Sequence, residues 1–378
     1  MTARSCASVV LATCALVLLT LTAAAQDRPE TVIRTTTRLV EVRVMAEDSQ
    51  GNAVANLRQE ELQLQDNRKP QPIASWVFEG APPSAAATAS ANTAAAPDEP
   101  AREEYALLLI DWRNPGYPER VRILDFAKSL LEKFQPRQEL AIYIYARKSY
   151  LLHDFTTDRD ALAQALASIK DIPYDPEDGP VGKFDARYAP GRKTAATVNA
   201  EEQILEFNSK TFDSFDVMAK IADGMAKISG RKSLIWVSNG FPVVLNSHAV
   251  PGAKDLDISY AQDMEKSVAR LNSADVSVYS VDPCGLSLAS CYHDLGTLKE
   301  FAERTGGTAF YDRNDIDEGM RLALEDSKIS YTLGFLVPAN ATAGLHQIQL
   351  TTTRKGVTLR YRESYQLDDA PAPPLRGK

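Results

Sequence analysis

Cysteine and histidine are scarce in this chain, with four residues of each among 378. Neither a CxxC pair nor an HExxH motif is present, so the sequence contains no recognisable zinc or redox site. The four histidines are far apart, and we expect each to be a surface or hydrogen-bonding residue rather than a metal ligand. They are His153, His248, His293 and His346.

Long apolar runs are also rare. The one clear run, Val9 to Leu21, follows Arg4 and precedes Ala23-Ala24-Ala25, which is the pattern of a secretory signal. We therefore predict that residues 1–25 are a signal peptide and that the exported chain is periplasmic or secreted. No later run reaches about 18 apolar residues, so no membrane span is expected after signal removal.

Export has a consequence for the cysteines. Both N-terminal cysteines leave with the signal; Leu11 to Cys14 resembles a lipoprotein box only weakly, because Thr13 is unusual there. Cys284 and Cys291 remain, with six residues between them, in an oxidising compartment. We predict a disulfide between them.

Positive charge is not in excess, since the formal net charge is −8. Nothing in the charge balance favours binding to nucleic acid or to an anionic membrane. Recognisable enzyme motifs are missing too: no glycine-rich phosphate loop and no G-x-S-x-G elbow follows any predicted strand. We expect a protein that is not an enzyme. The alternatives are a hydrolase with its site in the loop 171–200, or a structural component of the cell envelope.

The clearest structural signal is the apolar run Tyr105 to Ile110, which ends at Asp111 and the turn residues Asn114-Pro115-Gly116. A short apolar run bounded by turn residues is typical of a strand buried on both faces of a parallel sheet. Ligands of open α/β sheets bind beyond the carboxyl ends of such strands. Asp111 occupies that position.

Strand and helix patterns alternate after this run, which predicts an α/β fold with a doubly wound, mostly parallel sheet. Thr157-Asp158 should cap the helix that covers Leu162 to Ile169, and Phe215 to Ile228 is a further helix. The remaining predicted strands are Glu139–Ala146, Ser233–Val237, Val276–Val281 and Thr308–Tyr311, and the remaining helices are one near Pro118 and those at Asp257–Asn272, Asp294–Glu303 and Ile316–Asp326.

Antiparallel β patterns occupy both ends of the chain. We predict an N-terminal β unit (26–79), an Ala/Pro-rich linker (80–102), the α/β domain (103–337, with 171–200 as an insertion), a C-terminal β segment (338–366) and a tail (367–378). Each β segment is too small to hold a core alone. We therefore expect the two to pack together as one small antiparallel domain, with Arg354-Lys355-Gly356 as a hairpin turn.

Eight stretches resemble the exported bacterial VWFA-related family of von Willebrand factor A domain proteins, and the resemblance covers essentially residues 31–366. They are RLVEVRVMAEDSQGNAVANLRQEELQLQDNRKPQPIASW, LLLIDWRNP, HDFTTDRDAL, GRKSLIWVSNGFP, VYSVDPCGL, LKEFAERTGGTAFYDRNDI, and YTLGF with HQIQLTTTRKGVTLRYRESY. The resemblance implies a protein-binding module. It also implies a metal-ion-dependent adhesion site, in which a D-x-S-x-S loop, a Thr and an Asp hold Mg²⁺ for a partner's carboxylate.

This chain departs from that ligand pattern. Asp111 is kept, but Arg113 and Pro115 replace the two serines and Asn239 replaces the second acid. Ser214, or less favourably Thr211, stands at the Thr position. Since Mg²⁺ requires near-octahedral oxygen ligands, we expect a degenerate site and no cofactor. If an ion were bound at all, its ligands would be Asp111, Ser214 and Asn239.

We therefore predict that a protein partner, in the cell envelope or outside the cell, contacts the end of the sheet. The predicted contact residues are Asp111, Trp112, Arg113, Asn114, Tyr117, Ser214, Ser238, Asn239 and Phe241. Structural roles compete with this interpretation: Asp111 as a helix cap or partner of Arg113, Trp112 as a lid over the strand end, and Ser214 as an N-cap.

Overall fold

The structure is a computed structural model that describes residues 38–79, 104–133, 138–172, 200–246, 250, 253, 255–286, 294–314, 329–338 and 341–368. Its strands are β1 (Arg38–Asp48), β2 (Leu62–Asp66), β3 (Lys69–Gln71), β4 (Ile73–Glu79), β5 (Glu104–Asp111), β6 (Gln138–Tyr145), β7 (Tyr150–Thr156), β8 (Arg231–Val237), β9 (Val244–Asn246), β10 (Asp257–Ser259), β11 (Val276–Val281), β12 (Ala309–Phe310), β13 (Ser330–Val337), β14 (Gly344–Thr352), β15 (Val357–Tyr361) and β16 (Ser364–Leu367). Its helices are α1 (Tyr117–Lys133), α2 (Arg159–Ala167), α3 (Ala200–Met225), α4 (Ala261–Ser273) and α5 (Leu295–Arg304).

A six-stranded sheet forms the centre of the α/β domain, in the order β12-β11-β8-β5-β6-β7. Its strands are parallel except β7, which runs antiparallel to β6 at one edge. Helices α1 and α2 pack on one face, and α3, α4 and α5 pack on the other. Every residue of β5 from Ala106 to Asp111 is buried, as expected for a strand covered on both faces. The predicted doubly wound α/β fold is confirmed.

Several elements differ from the sequence prediction. Helix α3 begins at Ala200, not near Phe215, because its apolar positions continue through Phe207. Helix α4 begins at Ala261, because Asp257–Ser259 forms the short strand β10. Strands β7 and β9 were not predicted. The predicted cap is confirmed, since the Asp158 carboxylate accepts hydrogen bonds from the first turn of α2.

Two four-stranded antiparallel sheets, β15-β1-β13-β4 and β16-β14-β2-β3, face each other and form a β-sandwich. Their shared core includes Val44 and Phe335 from one sheet and Leu64 and Leu350 from the other. The N- and C-terminal segments therefore build one unit, as predicted. The hairpin turn before β15 is confirmed as well, with Gly356 at a φ of 72°.

The position of β13 corrects one domain boundary. The predicted α/β domain extends to residue 337, yet β13 pairs with β1 on one side and β4 on the other, both in the sandwich. The strand is buried on both faces, so its apolar pattern alone does not distinguish the two sheets. The α/β domain thus ends before Ser330.

The TGGT stretch, Thr305 to Thr308, lies where the α/β domain contacts the β-sandwich, and we call this contact region the joint. The Thr305 hydroxyl accepts a hydrogen bond from the backbone N–H of Val278 at 2.9 Å. A Cβ on Gly307 would lie 1.9 Å from the Val278 carbonyl oxygen, and one on Gly306 would lie 2.8 Å from the Tyr361 backbone of the sandwich. Only glycine allows backbones to approach this closely, so these two positions fix the close contact between the sheets.

Several predicted segments lie outside the described residues: the signal peptide 1–25, the linker 80–102, most of the insertion 171–200, the helix Ile316–Asp326 and most of the tail. Within the described helices, none is both long enough and apolar enough to cross a membrane.

Candidate functional site

Asp111 lies at the carboxyl end of β5 and is completely buried. Its Oδ1 accepts hydrogen bonds from the backbone N–H groups of Arg113 (2.9 Å) and Asn114 (3.0 Å). Its Oδ2 accepts from the Asn114 side-chain amide (2.8 Å) and from the Ser238 hydroxyl (2.5 Å). The carboxylate therefore fixes the loop after β5 and ties it to the end of β8. Burial raises the pKa of Asp111, and these hydrogen bonds oppose the shift only in part.

The link between Asp111 and Ser238 spans the switch point of the sheet, where the chain order reverses between β5 and β8. The Ser238 hydroxyl in turn accepts a hydrogen bond from the Gly240 backbone N–H at 2.9 Å. Gly240 has a φ of 73°, and a Cβ there would lie 2.3 Å from the Asp294 carbonyl oxygen. Glycine is thus required at position 240 for the tight turn after β8.

Arg113 does not lie on the surface that the sequence analysis assigned to it. Its side chain is 2% exposed, and its Nη2 lies 3.4 Å from a carboxylate oxygen of Asp213 on α3. Asp213 itself is half exposed. A guanidinium this deeply buried is retained only with partners, and Asp213 supplies one of them. Arg113 therefore brings a fixed positive charge into the site but cannot contact a partner protein directly.

Ser214, predicted as a contact residue, is also buried, and it lies inside α3, so the alternative role as an N-cap is wrong as well. Its hydroxyl donates to the Lys210 carbonyl oxygen at 2.7 Å, one turn earlier, and lies 3.0 Å from the Tyr145 hydroxyl. Burial and the negative charge of Asp111 raise the pKa of Tyr145, so this phenol stays protonated. The fully buried Thr211 hydroxyl has no hydrogen-bond partner within the described part of the chain.

Asn239 and Phe241, both predicted as contact residues, are 2% exposed. The Phe241 ring packs edge-on against Phe215 at 5.0 Å between centroids and contacts Trp236 and Phe301. This aromatic cluster joins β8 to helices α3 and α5. Phe241 is therefore a core residue. The predicted contact surface loses both positions, and it also loses the buried Asp111, Ser214 and Ser238.

The predicted residues that reach solvent are Trp112 and Asn114, both partly buried, and Tyr117, which is 45% exposed. Val121, which lies one turn after Tyr117 on α1 and is 42% exposed, was not among the predicted contact residues. Its position at i+4 from an exposed tyrosine is the signal that could have identified it. We call Trp112, Asn114, Tyr117 and Val121 the apex surface.

Arg120 holds Trp112 in place. Its Nη2 donates to the Trp112 carbonyl oxygen at 2.6 Å, and its guanidinium lies 5.0 Å from the centroid of the indole ring. The Trp112 backbone N–H also donates to the Tyr145 carbonyl oxygen at 2.6 Å. A tryptophan whose backbone and ring are both restrained loses little conformational entropy on binding. This favours a role for Trp112 in partner contact, in addition to its role as a lid over the strand end.

The residues at this site do not fit Mg²⁺. Four protein donors use the acceptor positions of the Asp111 carboxylate, and the Ser214 oxygen is engaged by Lys210 and Tyr145. Arg113 adds a positive charge beside them. Within the described ranges, no three histidine, cysteine, aspartate or glutamate side chains are grouped so as to hold a metal ion.

Two further predictions fall on residues that the structure does not describe. Cys284 is buried, but Cys291 lies outside the described ranges, so their disulfide stays a prediction. Residues 173–199, which hold most of the insertion proposed for a hydrolase site, lie outside them as well.

No family model and no curated protein matches this chain. Similar solved structures include BatB from Bacteroides thetaiotaomicron, a conserved hypothetical protein (11% identity, 60% of this chain and 98% of that one, TM-score 0.34). They also include a von Willebrand factor type A protein from Catenulispora acidiphila (9%, 89% and 74%, 0.37) and the manganese-loaded TRAP protein of Plasmodium vivax (10%, 71% and 96%, 0.35). Proteins with a von Willebrand factor type A domain are thus among its structural neighbours. At these TM-scores the matches carry no argument about the site.

Proposed function

We propose that this chain is an exported, non-catalytic protein-binding module whose partner contacts the apex surface without a divalent ion. The partner is a protein of the cell envelope or of the surrounding medium. The export signal in residues 1–25 supports the location, and the position of the surface beyond the carboxyl ends of β5 and β8 supports the site.

One observation carries the metal-independent part of the proposal: the four protein donors on Asp111. In an adhesion site that uses a metal, this carboxylate belongs to the coordination sphere of the ion. Here the loop backbone, Asn114 and Ser238 take up its acceptor capacity. Binding Mg²⁺ would break these hydrogen bonds and place the ion beside the buried Arg113.

The exposed aromatic and apolar side chains support the contact role. Tyr117 and Val121 lie one turn apart on α1, and Trp112 precedes them on the loop. Aromatic residues held rigidly at a surface are common energetic centres of protein interfaces. The partly exposed Asn114 adds a polar group to the same surface.

Capture by crosslinking tests the proposal. The mature chain, carrying a photo-crosslinker at position 117, is exposed to envelope and medium fractions of the exporting cell in the presence of EDTA. We expect one predominant protein, whose capture falls when Trp112→Ala is introduced. Leu151→Ala, which changes a 55% exposed leucine on the edge strand β7, is the matched control and should capture normally. Equal capture by Trp112→Ala and wild type would contradict the proposal, provided that circular dichroism shows both folded.

A further inference from the structure

A set of buried polar groups lies where the β-sandwich meets the α/β sheet. Arg43 on β1 is opposite Thr332 on β13, and Ser330, two residues before Thr332 on β13, lies on the same sheet face. Arg362 approaches the same strand, since its Nη2 donates to the Glu41 carbonyl oxygen. These groups therefore surround one part of the joint.

The hydrogen-bond donors of this set are incompletely used. Arg43 Nε and Nη2, Arg362 Nε and the Ser330 hydroxyl are all buried and have no hydrogen-bond partner within the described residues. Ser330 is completely buried. Buried donors in native proteins are almost always paired, and each unpaired one is costly. The acceptors that would satisfy them are oxygen atoms.

The carboxylates of the joint are engaged elsewhere. Glu79 forms an ion pair with Arg231 and accepts a hydrogen bond from the Thr332 hydroxyl at 2.7 Å. Glu104 lies 3.3 Å from Arg231 as well. Within the described chain, no carboxylate forms an ion pair with Arg43. Arg43, opposite Thr332 in the register of the two strands, thus has no counter-ion from these acids.

Two further cations increase the positive charge here. Lys232 is 7% exposed, and its Nζ donates to a neutral acceptor, the Ile228 carbonyl oxygen, at 2.9 Å. Burial lowers the pKa of Lys232, the nearby Arg362 lowers it further, and Asp275 opposes both. Asp275, half exposed and 3.6 Å from Arg362, is the acid that faces this pair. Lys232 and Arg362 therefore share one half-exposed acid, Asp275.

We propose that this joint is an oxyanion-binding site for a phosphate, a sulfate or a ligand with an equivalent tetrahedral group. Arg43 Nε and Nη2 present the two parallel N–H groups that bind such anions in a bidentate manner, and the Ser330 hydroxyl donates to a further oxygen. Lys232 and Arg362 supply the surrounding positive charge. A bound anion would link β1, β13 and β8 and so stabilise the two units against each other.

Thermal unfolding of the full mature chain tests this site with inorganic phosphate as the probe, against chloride at equal ionic strength. For wild type we expect a saturable rise in Tm with phosphate concentration, because the anion binds the folded state. Arg43→Met should lose this rise. In chloride alone, Arg43→Met should unfold at the same temperature as wild type or higher, because an uncompensated buried cation is removed. The order of stability should therefore reverse in saturating phosphate.

Two variants complete the design. Arg58→Met changes a 75% exposed arginine of the same unit and should keep the full phosphate response. Ser330→Ala should weaken phosphate affinity by at least threefold in calorimetric titration, which keeps the test available if Arg43→Met does not fold. The proposal is overturned if phosphate acts no differently from chloride, if Arg43→Met responds like wild type, or if Ser330→Ala leaves the affinity unchanged.

Discussion

Replacing Asp111 with alanine should destabilise the chain strongly, with or without metal ions. The change removes a buried acceptor that receives hydrogen bonds from Arg113, Asn114 and Ser238. A buried donor left without a partner costs about 1–3 kcal/mol. Because the Ser238 hydroxyl can turn to another acceptor, we expect a loss of about 3–5 kcal/mol in the free energy of unfolding. A typical domain has only about 5–15 kcal/mol in total.

Asp111→Asn removes the negative charge of the side chain but keeps part of its hydrogen bonding. The amide keeps one oxygen for the N–H groups of Arg113 and Asn114 but places an NH₂ group against the Asn114 amide and Ser238. We expect a loss of about 1–3 kcal/mol near neutral pH. The folded-state pKa of Asp111 lies above its ordinary value of 3.8, so the ionised form is the less favoured one in the fold. The stability of wild type relative to Asp111→Asn should therefore rise as pH falls through that raised pKa towards 3.8.

Urea denaturation of the mature chain, followed by tryptophan fluorescence in EDTA and in Mg²⁺, measures both effects. Asp125→Asn, which changes a 69% exposed aspartate on α1, is the control and should stay within about 0.5 kcal/mol of wild type. A loss below about 1 kcal/mol for Asp111→Ala in EDTA would refute the hydrogen-bond account. So would a gain in stability with Mg²⁺ that disappears in Asp111→Ala.

Three other predictions concern the turn after β8, the sandwich and the cysteines. Gly240→Ala should cost at least about 1–3 kcal/mol in urea denaturation, because the φ of 73° is strained for alanine and a carbonyl oxygen lies 2.3 Å from the new Cβ. Hydrogen bonds from Arg354 lower the pKa of Glu61 from 4.5 to about 2. The free energy of unfolding of wild type should thus exceed that of Arg354→Met by a constant amount above about pH 4.5, and this difference should shrink as pH falls towards 2. A difference that does not depend on pH would contradict this prediction. Mass spectrometry of the exported protein without reductant should show Cys284 and Cys291 joined, and two free thiols would disprove the pairing.

Local signals in the sequence predicted the fold well wherever burial and turn chemistry act over a few residues. The apolar run before Asp111 identified the central strand, and the Asp158 cap and the Gly356 turn were visible as short motifs. Strand β7 was missed because it is a short edge strand with register shifts, and its apolar residues do not alternate cleanly. The early start of α3 at Ala200 was missed although Asn199, a residue type favoured at N-caps, precedes it with Glu202 three positions later, because residues 171–200 were interpreted as one inserted surface loop.

The sequence predicted that Asp111 and Ser238 meet at one end of the sheet, which is confirmed, but it did not predict the burial of Arg113 and Phe241. Arginine is usually exposed, and nothing near Arg113 in the sequence reveals Asp213, its partner a hundred residues later. Phe241 follows a turn and reads as a surface aromatic, yet Phe215 and Phe301 from two helices enclose it. Both errors concern contacts between distant segments, which a periodic pattern in one segment does not report. The exposure of Tyr117 on α1 was predicted correctly.

The most direct test of the central claim is the affinity of the captured partner for the purified mature chain, measured by calorimetry in EDTA and in Mg²⁺. The proposed function predicts dissociation constants that agree within about twofold in the two buffers. It also predicts that Trp112→Ala weakens binding by more than 1 kcal/mol, which is about fivefold. Binding that EDTA abolishes and Mg²⁺ restores would contradict the metal-independent apex surface.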